Sequence, residues 1–264
     1  MTSLRIATAN VNGIRAAYRR GMQAWLDSRQ IDILALQEVR AETSDLTDLL
    51  GEDWDVVHDA ASAKGRAGVA IASRHRAAIH RVAIGDDDFD SAGRWLEADY
   101  EVDGHEITVV SAYVHTGEAD TPKQLEKYRL LDGMTERMAE LGADGRRSVV
   151  LGDLNVGHRE LDIKNWKGNL KKSGFLPEER AYFDRWFASG WVDVGRTSAG
   201  EVPGPYTWWS WRGKSFDIDS GWRIDYQLAS PSLASAVTSY AVDRAPTYAE
   251  RWSDHAPVVV DYSL

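Results

Sequence analysis

An adjacent Asp-His pair, Asp254-His255, opens a valine-rich run near the end of the chain that is typical of a buried strand. Pro257 stands at the start of this run, where a strand tolerates proline. An aspartate at that place can bind a metal ion or a phosphate-bound water, and a histidine beside it can exchange protons near neutral pH. A polar turn before a terminal strand also explains an isolated pair, so the chemical interpretation needs support from other strands.

Other apolar segments end in the same kind of residue. The polar strand ends are Asn10, Asn12, Glu38, Tyr113, Asp153, Asn155, Asp225, Asp254 and His255. Each alone has a structural explanation, such as an Asx turn after a strand. Together, the carboxylates and amides suit a hard cation such as Mg²⁺ with several waters left on it. A histidine oriented by a second aspartate suits acid-base chemistry or contact with a phosphate.

The segments that must position these residues are a series of strands interrupted by a few helices. The residue patterns predict strands at 4–10, 31–38, 54–59, 68–73, 78–84, 95–101, 106–113, 148–155, 222–229, 236–242 and 257–262, with helices at 15–29, 45–50, 121–141 and 178–189. The strands between 54 and 113 are predicted to form an antiparallel meander, with a hairpin at Asp103-Gly104. Residues 156–176 are predicted to be a long basic loop, a length that usually signals function or disorder.

Bulk properties exclude several classes of protein. The 264 residues are 43% hydrophobic and can form one domain, residues 1–264, with two stacked sheets flanked by helices. Cysteine is absent, which excludes disulfides and thiol nucleophiles and makes zinc a less suitable ion. We expect a cytoplasmic protein, because the chain has no signal-like start and no membrane-length apolar run.

The net charge of −10 argues against nucleic-acid binding by bulk electrostatics, yet it is compatible with a nuclease that uses acidic groups for metal binding and catalysis. Residues 158–172 are locally basic, with five lysine or arginine residues against Glu160 and Asp162. Trp208, Trp209, Trp211 and Trp222 lie close together in the sequence. Clustered aromatics usually form a core or an interface, but beside a basic segment they can also stack on bases or sugars.

Motifs along nearly the whole chain resemble those of exodeoxyribonuclease III and the apurinic/apyrimidinic (AP) endonucleases. They are Asn10-Val11-Asn12-Gly13-Ile14-Arg15-Ala16, Leu36-Gln37-Glu38, Gly152-Asp153-Leu154-Asn155, Leu161-Asp162-Ile163-Lys164-Asn165, Trp222-Arg223-Ile224-Asp225-Tyr226 and Ser253-Asp254-His255. The first, third and last are shared in part by the wider endonuclease/exonuclease/phosphatase superfamily. The Leu161–Asn165 and Trp222–Tyr226 motifs are more specific to the AP-endonuclease branch.

This resemblance implies an α+β fold, the four-layer αββα sandwich of deoxyribonuclease I. It also implies a monomeric, Mg²⁺-dependent phosphodiesterase, with Mn²⁺ as a substitute ion. The substrate would be double-stranded DNA with abasic sites or 3′ ends, so the enzyme would be both an AP endonuclease and a 3′→5′ exonuclease or 3′-phosphatase.

The resemblance also implies a role for each polar strand end. Glu38 would be the principal metal ligand, with Asn10, Asn12 and Asp254 near it and with Asp153, Asn155 and His255 also within reach of the metal. Asp153 would activate or position the attacking water, and Asn155 would hold that water and the phosphate. His255, oriented by Asp225, would contact the scissile phosphate, and Tyr113 would stand near the leaving oxygen. The choice of base and leaving-group acid among Asp153, His255 and Tyr113 stays open.

For the substrate, the resemblance implies an apolar pocket for a flipped abasic sugar, formed by Trp208, Trp222 and Ile224. Phosphate contacts would come from the long loop and one further arginine, namely Asn165, Lys167, Asn169, Lys171 and Arg94. The chain departs from the family pattern at 113–117, where His115-Thr116 replaces a proline followed by an amide. Asn12 also replaces an aspartate of human-type relatives, as in bacterial exonuclease III. Both departures bear on the balance between exonuclease and AP-endonuclease activity.

Two alternatives remain on sequence grounds. A relative of the same superfamily could act on a small or lipid phosphoester, such as an inositol phosphate or sphingomyelin. A non-catalytic binding module on this fold is the other, although the complete set Glu38, Asp153, Asn155, Asp225 and His255 argues against it.

Overall fold

Two six-stranded β-sheets pack face to face at the centre of the molecule. The structure is a computed structural model and describes residues 3–82, 84, 87–143 and 145–264. The strands are β1 Ser3–Asn10, β2 Ile33–Gln37, β3 Asp55–Asp59, β4 Val69–Ser73, β5 Ile79–Arg81, β6 Trp95–Val102, β7 His105–Tyr113, β8 Arg147–Asp153, β9 Val192–Asp193, β10 Asp225–Ala229, β11 Val237–Val242 and β12 Val258–Ser263. The helices are α1 Ile14–Arg19, α2 Met22–Arg29, α3 Thr43–Leu50, α4 Asp87–Asp90, α5 Pro122–Ala143, α6 Pro177–Ala188, α7 Val194–Ala199 and α8 Pro231–Ala234.

The strand order is β11-β12-β1-β2-β4-β3 in the first sheet and β5-β6-β7-β8-β10-β9 in the second. One pair in each sheet is parallel, β1 with β2 and β7 with β8, and the other paired strands are antiparallel. The prediction that the strands between residues 54 and 113 form one antiparallel meander is therefore wrong, because these strands are divided between the two sheets. The chain passes from the first sheet to the second between β4 and β5, so β3 and β4 belong to one sheet and β5 to β7 to the other.

Three apolar layers account for this arrangement. The inward faces of the two sheets form the central layer, with Ile6, Val109 and Leu151 among its fully buried residues. Helices α5 and α6 cover the outer face of the second sheet, and α1, α2 and α3 cover that of the first. Alternate residues of each strand point to opposite faces, so strands covered on both sides are apolar throughout. The predicted four-layer αββα sandwich is confirmed.

The remaining differences from the predicted elements have local causes. The helix predicted over 15–29 is two helices, because Gly21 has φ 108° and ends the first of them. The strand predicted over 78–84 is confined to β5, and Ala83 lies outside the described residues. The strand predicted from 222 begins at Asp225, because Trp222 forms isolated bridges with Ile163 and Trp208 instead. Helices α4, α7 and α8 and strand β9 were not predicted, and they span only four, six, four and two residues.

The strand directions bring the polar residues to one edge of the sandwich. The parallel strands β1 and β2 end side by side at Asn10 and Gln37, directly before Glu38. In the second sheet Asp153 lies opposite Tyr113 on one side and Asp225 on the other. Gly152 permits this close pairing, since a Cβ there would lie 2.0 Å from the carbonyl oxygen of Ala112. Within the described ranges, no helix has the length and apolar character needed to cross a membrane.

Candidate functional site

A cavity of about 550 Å³ opens at this edge of the two sheets. Its lining residues are Asn12, Glu38, Arg40, Thr116, Asp153, Asn155, Asn169, Lys172, Ser173, Gly174, Trp208, Trp222, Ile224, Asp254 and His255. Most of the predicted site residues are in this set. Asn10 and Asp225 are almost fully buried and contact lining residues from behind.

His255 is held between two aspartates. Its Nδ1 atom lies 2.9 and 3.1 Å from the two carboxylate oxygens of Asp225, and its Nε2 atom lies 3.7 Å from Oδ2 of Asp153. An ionised carboxylate only accepts hydrogen bonds, so Nδ1 of His255 carries the proton of the bond to Asp225. Nε2 is therefore the ring atom that faces Asp153 and the cavity.

Burial and neighbouring charges shift the pKa values of His255 and Asp153. Burial alone lowers the pKa of His255, but the negative charges of Asp225 and Asp153 outweigh it, so the pKa is raised above the usual range. Burial raises the pKa of Asp153, and the charges of Asp225 and Glu38 raise it further against the opposing effect of His255. Paired pKa shifts of this kind, caused by burial and by neighbouring charges, are typical of catalytic sites.

Amide side chains bridge the remaining carboxylates. Nδ2 of Asn10 donates to Oε1 of Glu38 at 2.9 Å and to Oδ2 of Asp153 at 2.8 Å. Nδ2 of Asn12 donates to Asp254 at 2.8 Å, and the indole of Trp208 donates to the other oxygen of Asp254 at 3.2 Å. Two predicted metal ligands, Asn10 and Asn12, thus hold carboxylates in place through their nitrogen atoms.

Three site residues leave their strands through a left-handed backbone. Asn12, Glu38 and Asn155 have φ values of 47°, 51° and 49°. Asparagine tolerates this region better than most residues, whereas a glutamate there is uncommon. Non-glycine residues in this conformation cost about 1–3 kcal/mol each and cluster at functional sites, where the surrounding structure holds them. The turn at Glu38 places its carboxylate in the cavity and not in the sheet.

Two indoles and an isoleucine form the apolar wall of the cavity. The rings of Trp208 and Trp222 meet edge to face, with centroids 6.4 Å apart and planes at 88°. Ile224 lines the same wall two residues after Trp222. Gly174 lies against the Trp222 ring, and a Cβ there would lie 3.0 Å from the indole. The wall is therefore built from two separate segments and closed from one side by the long loop.

These features match those of known proteins. The model of the Endonuclease/Exonuclease/phosphatase family matches residues 7–255. The chain belongs to this family. It is 32% identical to an exodeoxyribonuclease of Bacillus subtilis (strain 168), over 97% of this chain and 98% of that relative.

Solved structures agree with the family assignment. An AP endonuclease from Archaeoglobus fulgidus superposes with a TM-score of 0.86 at 28% identity, over 99% of this chain and 100% of that one. A 3′-5′ exonuclease (NExo) from Neisseria meningitidis superposes with a TM-score of 0.87 at 29% identity, over the same shares of the two chains. The fold of this family member thus matches those structures along nearly its whole length.

The predicted contacts of the long loop are distributed between the cavity and its surroundings. Asn169 lines the cavity and donates to the carbonyl of Asn165, whose own side chain donates to Ser220. Lys167 lies over the Trp166 ring, with 5.4 Å between its Nζ atom and the ring centroid. Lys171 lines a separate groove beside α5. Of the four predicted loop residues, only Asn169 therefore lines the cavity.

Arg94 and Tyr113 are two predicted site residues outside the set that lines the cavity, and the Tyr113 hydroxyl hydrogen-bonds Glu38. The Arg94 guanidinium is over the Tyr113 ring, 5.4 Å from its centroid, and it is not among the lining residues. Burial, together with the charges of Glu38 and Asp153, holds the pKa of the Tyr113 hydroxyl well above its usual range. Tyr113 is therefore neutral across the physiological pH range.

Several lining residues were not found from the sequence, namely Arg40, Thr116, Lys172, Ser173 and Gly174. Thr116 is at the position where the family pattern has an amide, so its place in the cavity could have been inferred. Lys172 directly follows Lys171, and only the loop conformation decides which of the two faces the cavity.

A buried lysine behind the cavity supports Asn155 and was also missed. Nζ of Lys127 on α5 donates to the backbone carbonyl of Asn155 at 2.9 Å and pairs with Glu179 at 2.7 Å. Glu179 in turn accepts from the backbone amides of Gly174 and Leu176, at 2.7 and 2.9 Å. The pair thus connects a site residue to the long loop and to the start of α6. The sequence signal was a lysine at a position that the helix period assigns to the buried face.

Lys127→Met is expected to lower the free energy of unfolding by about 3 kcal/mol, because it leaves the Glu179 charge buried without a cation. Lys123→Met on the same helix is the control, because Lys123 is exposed and its loss should change stability by less than about 0.5 kcal/mol. Urea unfolding followed by circular dichroism measures both. Equal stability of the two variants would show that the buried pair contributes little.

Proposed function

We propose that this family member is a Mg²⁺-dependent DNA phosphodiesterase of the exodeoxyribonuclease III type. It cleaves duplex DNA on the 5′ side of abasic sites and removes nucleotides or blocking groups from 3′ ends. The observation that carries the proposal is one cavity in which Glu38, Asp153 and His255 face an apolar wall that includes Trp222 and Ile224. The names of the similar proteins, an exodeoxyribonuclease, an AP endonuclease and a 3′-5′ exonuclease, support it.

Three side chains would carry the hydrolysis. Asp153 takes a proton from the attacking water, since its carboxylate lines the cavity and is held there by hydrogen bonds from Asn10 and Asn155. Asn155 is in contact with Asp153 at 3.0 Å and orients the water and a phosphate oxygen. Protonated His255 donates from Nε2 to a phosphate oxygen and stabilises the charge that develops there.

Oxygen donors of the right type for a hard cation line the same cavity. Glu38 would hold the metal, with Asp254 and Asp153 near enough to contribute, while Asp225 is already committed to His255. His255, Asp153 and Asp225 also form a buried group whose ligand atoms lie within 4.8 Å of one another. A bound Mg²⁺ supplies positive charge to the phosphate oxygens during phosphoryl transfer.

The apolar wall would select the lesion. An abasic nucleotide has no base to unstack, so turning its sugar out of the duplex requires little free energy. The bare sugar would then pack against the apolar wall formed by Trp208, Trp222 and Ile224. Asn169 and Lys172 at the cavity rim would contact the adjacent backbone phosphates.

The test of this function compares two substrates under matched conditions. The purified protein is incubated with a duplex carrying one abasic site and with an undamaged duplex with recessed 3′ ends. Incision beside the abasic site and shortening of the 3′ ends are both expected in Mg²⁺. Hydrolysis of a small or lipid phosphoester, with neither DNA cleaved, would contradict the proposal.

Trp222→Ala is expected to lower the preference for abasic over undamaged DNA by about 1–3 kcal/mol, because it removes one aromatic side of the wall. Trp222→Phe is the matched variant and should retain most of the preference. The preference is measured as the ratio of kcat/KM on the abasic duplex to kcat/KM on the undamaged duplex. An unchanged ratio with a lowered melting temperature would show that Trp222 contributes only to packing.

A further inference from the structure

An arginine is paired with the carboxylate of the principal predicted metal ligand. Nη2 of Arg40 contacts Oε2 of Glu38, while Oε1 of Glu38 accepts from Asn10 at 2.9 Å. The side chain of Arg40 is 39% exposed and that of Glu38 only 12%, so the guanidinium covers the carboxylate from the solvent side. Oε1 of Glu38 thus has a neutral donor and Oε2 a cationic one, and the Tyr113 hydroxyl also hydrogen-bonds this carboxylate.

The backbone fixes this pairing. Glu38 and Arg40 both have φ 51°, and the residue between them, Val39, is fully buried. The amides of Val39 and Arg40 donate to the carbonyls of Gly68 and Ala67, each at 3.0 Å. Two residues with a left-handed backbone conformation therefore flank a valine that these hydrogen bonds hold in place. This arrangement keeps the side chains of Glu38 and Arg40 at the cavity. Arg40 is therefore placed beside Glu38 by the main chain and not by a flexible surface loop.

Three other cationic side chains lie near Arg40 but occupy different positions relative to the two cavities. Arg15, Lys64 and Arg66 line the adjacent cavity together with Arg40. Arg15 pairs with Asp45 at 3.2 Å, and Arg66 is exposed at the rim. Arg40 is also part of the catalytic cavity, which connects it directly to the metal ligand. This difference in position makes Arg66 a matched reference for the effect of charge alone.

We propose that Arg40 competes with the divalent cation for Glu38 and thereby sets the metal affinity of the site. The inference rests on the proposed function, because it takes Glu38 as the metal ligand. A guanidinium and a divalent cation both require the negative charge of one carboxylate, and they repel each other at short range. Metal binding therefore displaces Arg40 from Glu38, which leaves the guanidinium in the cavity where a phosphate oxygen can accept its hydrogen bonds.

The experiment measures binding of Mn²⁺ alone, in the absence of DNA, from the electron paramagnetic resonance signal of free aqueous Mn²⁺. It compares the wild type with Arg40→Gln, Arg66→Gln and Glu38→Gln at one ionic strength. Removing a unit charge adjacent to a divalent ion is expected to tighten Mn²⁺ binding about tenfold in Arg40→Gln. Arg66→Gln should change the Kd by less than about twofold, since its charge is exposed and screened.

The outcomes separate this inference from the proposed function. If Glu38→Gln loses Mn²⁺ binding while Arg40→Gln binds no more tightly than Arg66→Gln, Arg40 does not compete and the inference is overturned. A weaker Kd in Arg40→Gln overturns it too, because Arg40 would then be needed to hold Glu38 in its binding position. If Glu38→Gln binds Mn²⁺ as well as the wild type, the metal assignment of the proposed function fails instead.

Discussion

Asp225→Asn is expected to lower kcat on an abasic duplex by about a thousandfold or more while the protein stays folded. Asp225 contacts Nδ1 of His255 through both carboxylate oxygens, at 2.9 and 3.1 Å. An amide in its place can present its NH₂ group to Nδ1, which favours the tautomer with the proton on the wrong nitrogen. The variant also loses the charge that stabilises protonated His255. Rate and circular dichroism are measured on the same preparation.

The same variant should change the pH dependence of the rate. The charges of Asp225 and Asp153 raise the pKa of His255, so the wild-type histidine keeps its proton through neutral pH and loses it only at alkaline pH. Removing the Asp225 charge removes one of these causes, so the pKa of His255 falls. The alkaline limb of the pH-rate profile is then expected to move to lower pH in Asp225→Asn.

A double-variant comparison provides the control for this prediction. If Asp225 acts through His255, then His255→Asn and the combined variant should lose similar amounts of activity. If the combined loss equals the product of the two single losses, the residues act independently. An unmoved alkaline limb in Asp225→Asn would contradict the pairing in the same way.

Glu38→Gln is expected to abolish most activity, by about a thousandfold, because a neutral amide of the same shape cannot hold a hard divalent cation tightly. The fold should be retained, since the side chain lies at the end of β2 and not in the core. Glu52→Gln removes an exposed carboxylate from the turn between α3 and β3 and should behave like the wild type. Cleavage rates across a Mg²⁺ titration measure the effect. A Glu38→Gln variant with the wild-type Mg²⁺ dependence would contradict the ligand assignment.

The sequence predicted the layers of the fold better than it predicted the connections between strands. Apolar runs such as residues 31–38 are long enough and regular enough to be assigned as buried strands. Local patterns carry no information on which sheet a strand joins, so the passage from one sheet to the other between β4 and β5 could not be predicted. The break at Gly21 depends on a φ value that a sequence pattern permits but does not require.

The residues of the candidate site were also predicted only in part. Residues at strand ends, such as Asp153 and Glu38, were found because a carboxylate directly after an apolar run is conspicuous. Lys127 was missed because its contacts join segments that are distant in the sequence, and Arg40 was missed because its contact with Glu38 depends on an uncommon backbone conformation. Lys127 lies on a helix that packs behind Asn155, and Arg40 reaches Glu38 only through two left-handed residues. Such contacts follow from tertiary structure and not from residue type.

This cavity is proposed to perform metal-dependent hydrolysis at abasic DNA. The most direct measurement is a single-turnover reaction on a duplex with one end-labelled strand and one abasic site, with the product length mapped in Mg²⁺ and in excess chelator. One cut on the 5′ side of the lesion, seen only with Mg²⁺ and lost in His255→Asn, is the predicted result. Cleavage that persists in chelator, or that persists at full rate in His255→Asn, would contradict the account.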